Sequence, residues 1–376
     1  MIRRFLLPLL CLGTFAQSPL PPNFRSTSIN PDHSITFRYY DPTATKAAVQ
    51  VDALGSEPFP MTKSEDGIWS ATTRQLAPEI YGYTFQVDGR RELDPHNPQM
   101  TRNLLALVNM VEVPGPSPMP WDAQNIPHGE IHSHVYATRI VTGLHEDQNS
   151  YIVYTPPEYD AKAKNAYPVL YLLHGFSDDS YGWTAVGKAN FILDALISEG
   201  KAKPMVAVMP LGYGDLSFLR GGFASWATPQ AVAHNVDLFE QAVLNEIMPR
   251  VESEYHVSKK REDRAIVGLS MGGLESLTIG LRHTDKFAYV GGLSSSAANI
   301  DRASLANLTP KSADLRMLWI ACGTEDRLIA PNRDFISFLK SKQLPVTAVE
   351  TPGSHNWTVW RDNLIHFAPL LFQTAR

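Results

Sequence analysis

Gly268-Leu269-Ser270-Met271-Gly272-Gly273 is the stretch that decides the fold. It follows the apolar run Ala265-Ile266-Val267 and precedes a helical pattern over residues 274–282. A strand that turns directly into a helix leaves no room for side chains beside the turn, which explains glycine at positions 268 and 272. Such a turn lifts the Ser270 hydroxyl clear of a sheet and aims the backbone N–H of Met271 at a developing oxyanion. The stretch therefore predicts a nucleophilic serine on a sharp strand-to-helix turn.

Beyond about residue 124, short apolar runs alternate with helical patterns of ten or more residues. Apolar runs of this kind are typical of strands that are buried on both faces of a parallel sheet. Together with the serine turn, the alternation predicts an α/β-hydrolase fold over residues 124–376, with a mainly parallel sheet and helices on both faces. The runs are residues 169–173, 205–209, 265–267, 289–293 and 317–321.

Residues 24–112 show a different pattern. Ser34-Ile35-Thr36-Phe37-Arg38-Tyr39-Tyr40 and Tyr81-Gly82-Tyr83-Thr84-Phe85-Gln86-Val87 alternate between the two faces of a strand, and Pro, Asp and Gly turns separate such runs. The pattern predicts a small all-β, immunoglobulin-like sandwich. Residues 113–123 contain Pro114-Gly115-Pro116-Ser117-Pro118-Met119-Pro120 and are predicted to be a stiff linker. We expect the sandwich to serve in packing or in capping a pocket rather than in binding glycan.

A histidine and an acid should complete the site, because a serine hydroxyl is a weak nucleophile until a base takes its proton. In an α/β-hydrolase the chain order is Ser, acid, His. Asp326 follows an apolar run that ends at Gly323, and His355 lies on a glycine-containing loop after the last apolar run. We predict Asp326 as the acid and His355 as the base. Glu325 is the alternative acid, and His366, which lies in a helical pattern, is the alternative base.

The second oxyanion donor is expected in the loop after an early strand of this domain. His174-Gly175-Phe176 directly follows such a strand. We predict the backbone N–H of Phe176 as the donor, with Gly175 allowing close approach to the substrate. For His174 we expect an orienting or packing role.

Several tryptophans lie near the predicted catalytic loops. Trp183 follows the oxyanion loop, Trp226 lies in an aromatic-rich segment, and Trp357 follows His355. Each could be a core residue, but together they suggest stacking on a sugar or on an aromatic acyl group. We therefore predict Trp183, Trp226 and Trp357 as substrate-binding residues, with Gly175.

The composition and motifs exclude other classes of site. The chain has 376 residues and a formal net charge of −5, without a strong basic run, so nucleic acid is not an expected partner. It has no HExxH, no CxxC and no phosphate-cradling glycine motif, so we predict neither a metal nor another cofactor. The sequence leaves the oligomeric state open.

Residues 1–16 predict a secretory signal peptide. Arg3 and Arg4 precede an apolar stretch of suitable length, and small residues precede a cleavage site after Ala16. We expect a secreted or periplasmic protein with no membrane association after cleavage. The mature chain would keep one cysteine, Cys322, and so no intramolecular disulfide.

Taken together, four motifs resemble the first carbohydrate-esterase family, which includes feruloyl esterases and acetyl xylan esterases and is related to esterase D and enterochelin esterases. The motifs are Tyr167-Pro168-Val169-Leu170-Tyr171-Leu172-Leu173-His174-Gly175, Gly268-Leu269-Ser270-Met271-Gly272-Gly273, Gly323-Thr324-Glu325-Asp326 and Gly353-Ser354-His355-Asn356-Trp357. The N-terminal segment resembles the early-set, glycogen-binding-like sandwich that often precedes such catalytic domains.

The resemblance implies a serine esterase without a cofactor. It implies Ser270 as nucleophile, His355 as base, Asp326 as orienting acid, and Phe176 and Met271 as oxyanion donors. The expected substrate is an esterified plant polysaccharide or oligosaccharide, with release of a hydroxycinnamate such as ferulate. An acetyl xylan esterase and an enterochelin-type siderophore esterase are the alternatives among enzymes. Outside enzymes, the alternative is a glycan-binding protein with a vestigial hydrolase fold.

Overall fold

A computed structural model of the chain describes residues 22–55, 57–116 and 118–373. The predicted signal peptide, residues 1–16, lies outside the described residues.

The N-terminal domain is a sandwich of two antiparallel sheets. One sheet has the strand order β1-β2-β6-β5, and the other has the order β4-β3-β7-β8 with β9 paired to β7. Phe37, Val49 and Phe85 are fully buried between the sheets, as the alternating pattern predicts. The strands are β1 (Thr27–Ile29), β2 (Ile35–Tyr40), β3 (Ala47–Val51), β4 (Phe59–Pro60), β5 (Thr62–Lys63), β6 (Ile68–Thr72), β7 (Glu79–Val87), β8 (Arg90–Glu92) and β9 (Asn109–Val113).

The second domain is built on an eight-stranded sheet with the order β10-β11-β13-β12-β14-β15-β16-β17. The strands β10 and β11 are antiparallel to their neighbours, and the sheet is parallel from β13 to β17. The strands are β10 (Glu130–Ala137), β11 (Gln148–Thr155), β12 (Val169–Leu173), β13 (Val206–Pro210), β14 (Arg264–Leu269), β15 (Tyr289–Leu293), β16 (Met317–Gly323) and β17 (Val346–Thr351).

Helices cover both faces of this sheet, and one apolar core lies on each face. The central strands β12, β14 and β15 are buried at every position, because helices pack on both sides of them. This arrangement confirms the predicted α/β-hydrolase fold. The α-helices are α1 (Ala189–Ser198), α2 (Phe218–Trp226), α3 (Pro229–Ala242), α4 (Met248–Glu254), α5 (Ser270–Arg282), α6 (Pro310–Ala313), α7 (Ile329–Ser341) and α8 (Trp357–Phe367).

The proline-rich segment crosses between the domains, but it is not a free spacer. The strand β9 ends at Val113, one residue past the predicted end of the sandwich. Trp121 is only 9% exposed, and it packs with Met119 against the core of the hydrolase domain. The described part of the segment is therefore held against the protein.

A buried ion pair also joins the two domains. Arg361 of α8 is fully buried, and its Nε donates a hydrogen bond of 3.0 Å to the Glu79 carboxylate of β7. Its Nη2 donates to the backbone oxygen of Ile80, and its Nη1 to that of Val186, both at 2.8 Å. One guanidinium thus ties the sandwich to the helix that begins two residues after His355.

Candidate active site

Ser270 occupies the turn between β14 and α5. Its φ is +53°, a left-handed conformation that a non-glycine residue adopts only where the surroundings impose it. A Cβ at Gly268 would collide with the backbone oxygen of Gly272, and a Cβ at Gly272 would collide with that of His174. The two glycines therefore allow the tight turn that the sequence predicts.

The structure brings the predicted acid and base to this serine. His355 Nε2 lies 2.9 Å from Ser270 Oγ, and His355 Nδ1 lies 2.8 Å from Asp326 Oδ2. The alternatives are placed elsewhere: Glu325 is exposed, and the exposed His366 bonds to the backbone of its own helix. A continuous hydrogen-bonded chain thus runs from Asp326 through His355 to Ser270.

Asp326 is suited to remain ionised beside the histidine. Burial by itself raises the pKa of this carboxyl, but the hydrogen bond and positive charge of His355 outweigh burial and lower the pKa below its ordinary value. The backbone N–H of Leu328 also donates to Asp326 at 2.8 Å. The carboxylate can therefore fix the ring of His355 and stabilise its protonated form.

The oxyanion loop passes directly over the serine. A Cβ at Gly175 would lie 3.4 Å from the Cβ of Ser270. The backbone N–H of Gly272 donates to the backbone oxygen of His174 at 3.1 Å, which joins the loop to the serine turn. Among the described residues, no group accepts a hydrogen bond from the N–H of Phe176 or Met271. These two donors are thus available to an oxyanion.

His174 is a buried positioning residue, in agreement with the orienting or packing role expected for it. Burial lowers its pKa to about 4, so the imidazole is neutral at physiological pH. Its Nδ1 lies 2.8 Å from the backbone oxygen of Gly175, and its Nε2 accepts a hydrogen bond of 2.8 Å from the N–H of Gly212. The neutral ring fixes the start of the oxyanion loop.

A cleft of about 650 Å³ opens over Ser270. One wall of it is aromatic: the ring centroid of Phe176 lies 5.2 Å from that of Trp226 and 5.3 Å from that of Phe223. Phe223 is exposed in the cleft, and Trp226 is largely buried behind it. The helix α2 supplies Phe223 and Trp226 to this wall. Trp226 and Gly175 both line the cleft, where the sequence predicts substrate-binding residues.

Trp183 is a correction to the predicted set. It is fully buried, its indole N–H donates to the backbone oxygen of Leu173 at 2.9 Å, and its ring packs edge-on against Trp357. Trp183 therefore packs in the core beneath the catalytic loops and does not line the cleft. Trp357 is half-buried and lines a smaller cavity beside His355.

The sandwich supports the oxyanion loop through contacts that no sequence pattern predicts. The Asn103 side chain donates to Ser177 Oγ at 3.0 Å and to Asp178 Oδ1 at 3.1 Å. The N–H of Leu104 donates to the backbone oxygen of Ser177 at 2.7 Å, and Arg102 forms an ion pair of 3.2 Å with Asp179. The segment 102–104 thus holds the residues that directly follow Phe176.

Metal ligands, membrane-spanning helices and a reactive thiol were each sought among the described residues. Within residues 22–55, 57–116 and 118–373, no three His, Cys, Asp or Glu side chains are grouped as metal ligands. No helix in these ranges is long and apolar enough to cross a membrane. Cys322 is buried, which raises the pKa of its thiol to about 12 and makes it a poor nucleophile.

Comparison with known families matches both domains. The family described as putative esterase matches residues 145–371, and carbohydrate-binding module 48, the isoamylase N-terminal domain, matches residues 24–100. The first match covers more than half of the chain and contains Ser270, Asp326 and His355.

The proteins of similar sequence include a named feruloyl esterase. The chain is 26% identical over 366 residues to an endo-1,4-β-xylanase/feruloyl esterase of Xylanibacter ruminicola, an alignment with 96% of this chain and 48% of that protein. The chain thus spans about half the length of this relative.

Two solved structures share the fold. A ferulic acid esterase of Anaeromyces mucronatus in complex with ferulic acid is 22% identical, with a TM-score of 0.57 over 69% of this chain and 96% of that one. The enterochelin esterase of Shigella flexneri is 18% identical, with a TM-score of 0.69 over 92% and 95%. On the family match, the chain belongs to the putative esterase family, with an α/β-hydrolase fold and an N-terminal sandwich that matches carbohydrate-binding module 48.

Proposed function

We propose that this esterase hydrolyses carbohydrate-linked carboxylic esters, releasing hydroxycinnamates such as ferulate from plant cell-wall polysaccharide, by a Ser-His-Asp acyl-enzyme mechanism. The observation that carries the mechanism is the hydrogen-bonded chain from Asp326 through His355 to Ser270. The left-handed conformation of Ser270 supports it, because such strain is characteristic of a nucleophile held on a tight turn.

In the first step, His355 Nε2 takes the proton of Ser270 Oγ as that oxygen attacks the ester carbonyl carbon. The carbonyl oxygen becomes an oxyanion between the N–H groups of Phe176 and Met271. One such donor typically contributes about 3–4 kcal/mol to transition-state stabilisation. The protonated His355 then gives its proton to the departing alcohol, and the acyl group stays on Ser270.

In the second step, water attacks the acyl-enzyme. His355 takes a proton from the water, and a second oxyanion forms at the same two N–H groups. As this intermediate collapses, the bond from the acyl carbon to Ser270 Oγ breaks, His355 returns the proton to Oγ, and the acid leaves. Asp326 stays ionised throughout and holds the imidazole in the tautomer that presents Nε2 to the serine.

The aromatic wall supports an aromatic acyl group. Phe176, Phe223 and Trp226 form a cluster of rings along the cleft, and an aromatic acid can pack on them in offset or edge-to-face geometry. The name of the Xylanibacter relative, which includes feruloyl esterase, supports the same assignment.

A kinetic panel tests the acyl group. It contains methyl ferulate, acetylated xylan, short-acyl nitrophenyl esters and a catecholate siderophore trilactone. We expect methyl ferulate to give the highest kcat/KM. Preference for acetylated xylan or for the trilactone would replace ferulate by the acetyl xylan or enterochelin-type alternative, while the serine mechanism would stand.

The variant Ser270→Ala tests the mechanism. We expect kcat to fall by about 10⁶-fold, because the triad acts as a unit. Ser337→Ala is the matched control, since this serine is exposed on α7, and it should retain wild-type activity. Full activity in Ser270→Ala would refute the mechanism.

We also propose that the chain is exported, on the basis of the signal-peptide pattern in residues 1–16. Expression of the full chain in a bacterial host, followed by N-terminal sequencing of the periplasmic and extracellular protein, tests this. A mature N-terminus at Gln17 is expected, and an intact chain confined to the cytosol would refute export.

A further inference from the structure

A carboxyl group is buried behind the serine turn, in the second turn of α5. Glu275 is fully buried, and Nδ2 of Asn235, an equally buried residue of α3, donates a hydrogen bond of 2.9 Å to its Oε1. Its Oε2 has no hydrogen-bond partner within the part of the chain that the structure describes. Glu275 takes no part in the proposed bond-breaking steps. Because burying such a group costs stability, the hydrogen bond from Asn235 is the contact through which Glu275 can act.

Glu275 acts as a neutral acid. Burial raises its pKa well above the ordinary value, and only the hydrogen bond from Asn235 opposes this shift. A neutral carboxyl group brings no charge to the site, but its carbonyl oxygen still accepts a hydrogen bond. Its contribution is therefore the direction of a hydrogen bond, which a glutamine at this position could also supply.

That hydrogen bond sets which way the amide of Asn235 faces. With its Nδ2 directed to Glu275, Asn235 presents Oδ1 to the segment after β13, where it accepts from the N–H of Gly214 at 2.8 Å and from that of Asp215 at 3.2 Å. The segment is packed tightly here, since a Cβ at Gly214 would collide with the backbone oxygen of Asn235. We call residues 211–215 the β13 loop. Glu275 and Asn235 together fasten this loop to α3 and α5.

The β13 loop in turn holds the oxyanion loop at two points. The N–H of Gly212 donates to His174 Nε2 at 2.8 Å, and the hydroxyl of Tyr213 donates to the backbone oxygen of Asp178 at 3.2 Å. His174 and Asp178 lie on either side of Phe176 in the chain. The position of the Phe176 N–H, the predicted oxyanion donor, therefore depends on where the β13 loop lies.

We propose that Glu275 and Asn235 form a positioning unit that fixes the β13 loop and, through it, the oxyanion donor of Phe176. This inference rests on the proposed function, because it assigns the pair a role in the serine mechanism. An oxyanion donor binds the transition state more strongly than the bound ester, so a displaced donor lowers kcat and leaves KM nearly unchanged. Neither residue touches the substrate, so both are positioning residues.

The first test compares Glu275→Leu with Glu275→Gln on methyl ferulate, or on the ester that the panel selects. Leucine fills a similar volume but cannot accept from Asn235, so we expect kcat to fall about tenfold and KM to stay within about twofold. Glutamine keeps the acceptor and the neutral charge, so kcat should stay within about twofold of the wild type. A loss in Glu275→Gln as large as that in Glu275→Leu would refute the role.

The second test asks whether the two residues act as one unit. In an Asn235→Ala background, the further change Glu275→Leu should alter kcat by no more than about twofold, because the link to the β13 loop is already broken. Independent, multiplying losses in the double variant would refute the unit. Tyr213→Phe is a milder variant that removes only the hydroxyl contact with Asp178, and it should lower kcat by about threefold with KM unchanged.

The third test separates the oxyanion site from general loosening. An arylboronic acid forms a tetrahedral adduct with Ser270 and should inhibit Glu275→Leu about tenfold more weakly than the wild type, whereas inhibition by free ferulate should stay within about twofold. Equal weakening of both inhibitors would refute positioning of the oxyanion donor. Thr278→Val is the matched control: Thr278 is buried one turn further along α5, its hydroxyl has no partner among the described residues, and kcat and both inhibition constants should stay at wild-type values.

Failure of this inference differs from failure of the proposed function. Full activity in Ser270→Ala would refute the serine mechanism and, with it, the positioning role. If hydrolysis depends on Ser270 but Glu275→Leu, folded by circular dichroism, keeps the wild-type kcat, the positioning unit is refuted and the mechanism stands.

Discussion

The buried ion pair between Glu79 and Arg361 gives the sharpest stability prediction. Arg361 is fully buried and Glu79 is only 5% exposed, so water stabilises neither charge. The substitution Glu79→Gln keeps the shape of the side chain and removes its charge. The guanidinium then keeps its bonds to the backbone oxygens of Ile80 and Val186, but it loses its counter-charge.

Breaking one side of a buried ion pair costs about 3–5 kcal/mol, because an uncompensated charge stays in the interior. Gln keeps one acceptor for the guanidinium, so we expect the free energy of unfolding to fall by about 3 kcal/mol, the lower end of that range. Burial raises the pKa of Glu79 although Arg361 opposes it, and burial lowers the pKa of Arg361. For this pair, the cost of removing the two charges from water thus outweighs their mutual attraction. The free energy of unfolding of the apolar double variant Glu79→Leu/Arg361→Met should therefore lie within about 1–2 kcal/mol of that of the wild type.

The assay is urea unfolding at equilibrium, followed by circular dichroism and by ester hydrolysis in the same samples. Because Arg361 lies in α8, which begins two residues after His355, activity and structure should be lost at the same urea concentration. A cost below about 1 kcal/mol for Glu79→Gln would refute the reasoning. So would a double variant that is less stable than either single variant.

Three further predictions concern the site. Asp326→Asn should lower kcat by about 10⁴-fold with little change in KM, because it favours the wrong tautomer of the histidine; a change in KM alone would contradict this. Asn103→Ala should lower kcat about tenfold with KM nearly unchanged, since it loosens the oxyanion loop. Asn103→Asp removes the donating amide and should therefore not restore kcat. A loss of kcat that is fully accounted for by a lower melting temperature of the variant would indicate a purely structural role. Burial raises the pKa of Asp178 to about 7, so its charged form is disfavoured in the folded state and the wild type loses stability as the pH rises from about 4 through 7. Asp178→Asn should therefore be more stable than the wild type by about 2–4 kcal/mol at pH 8 and nearly equal at pH 4 in urea titrations; a constant difference across this range would contradict the assignment.

Much of the architecture could be predicted because its determinants are local. The glycines at positions 268 and 272 follow from the space available at one turn, and buried parallel strands show themselves as short apolar runs. The order of Ser270, Asp326 and His355 along the chain follows from the order in which the strands present their C-terminal ends. Each of these inferences uses neighbouring residues or one rule of topology.

What the sequence could not predict depends on contacts between distant segments. Asn103 meets Ser177 across 74 positions of the chain, and a loop asparagine with such a partner looks like any other turn residue. Trp183 lies close to a catalytic loop in sequence, but the space beneath the loop is core, so proximity in the chain did not imply exposure in the cleft. The smaller cavity beside His355 is lined in part by Gln50, Asp52 and Gly55 of the sandwich, and it likewise arises only once the domains meet.

The packed segment around Trp121 has a consequence for protein engineering. A sandwich exchanged for another would have to supply the partners of Arg361, the contacts of residues 102–104 with the hydrolase domain, and a surface that packs Trp121 and Met119. Chimeras cut at the apparent boundary near residue 113 should therefore express poorly or lose turnover, whereas chimeras that carry residues 101–121 together with β7 should keep both. In this esterase the unit of modular exchange is larger than the domain.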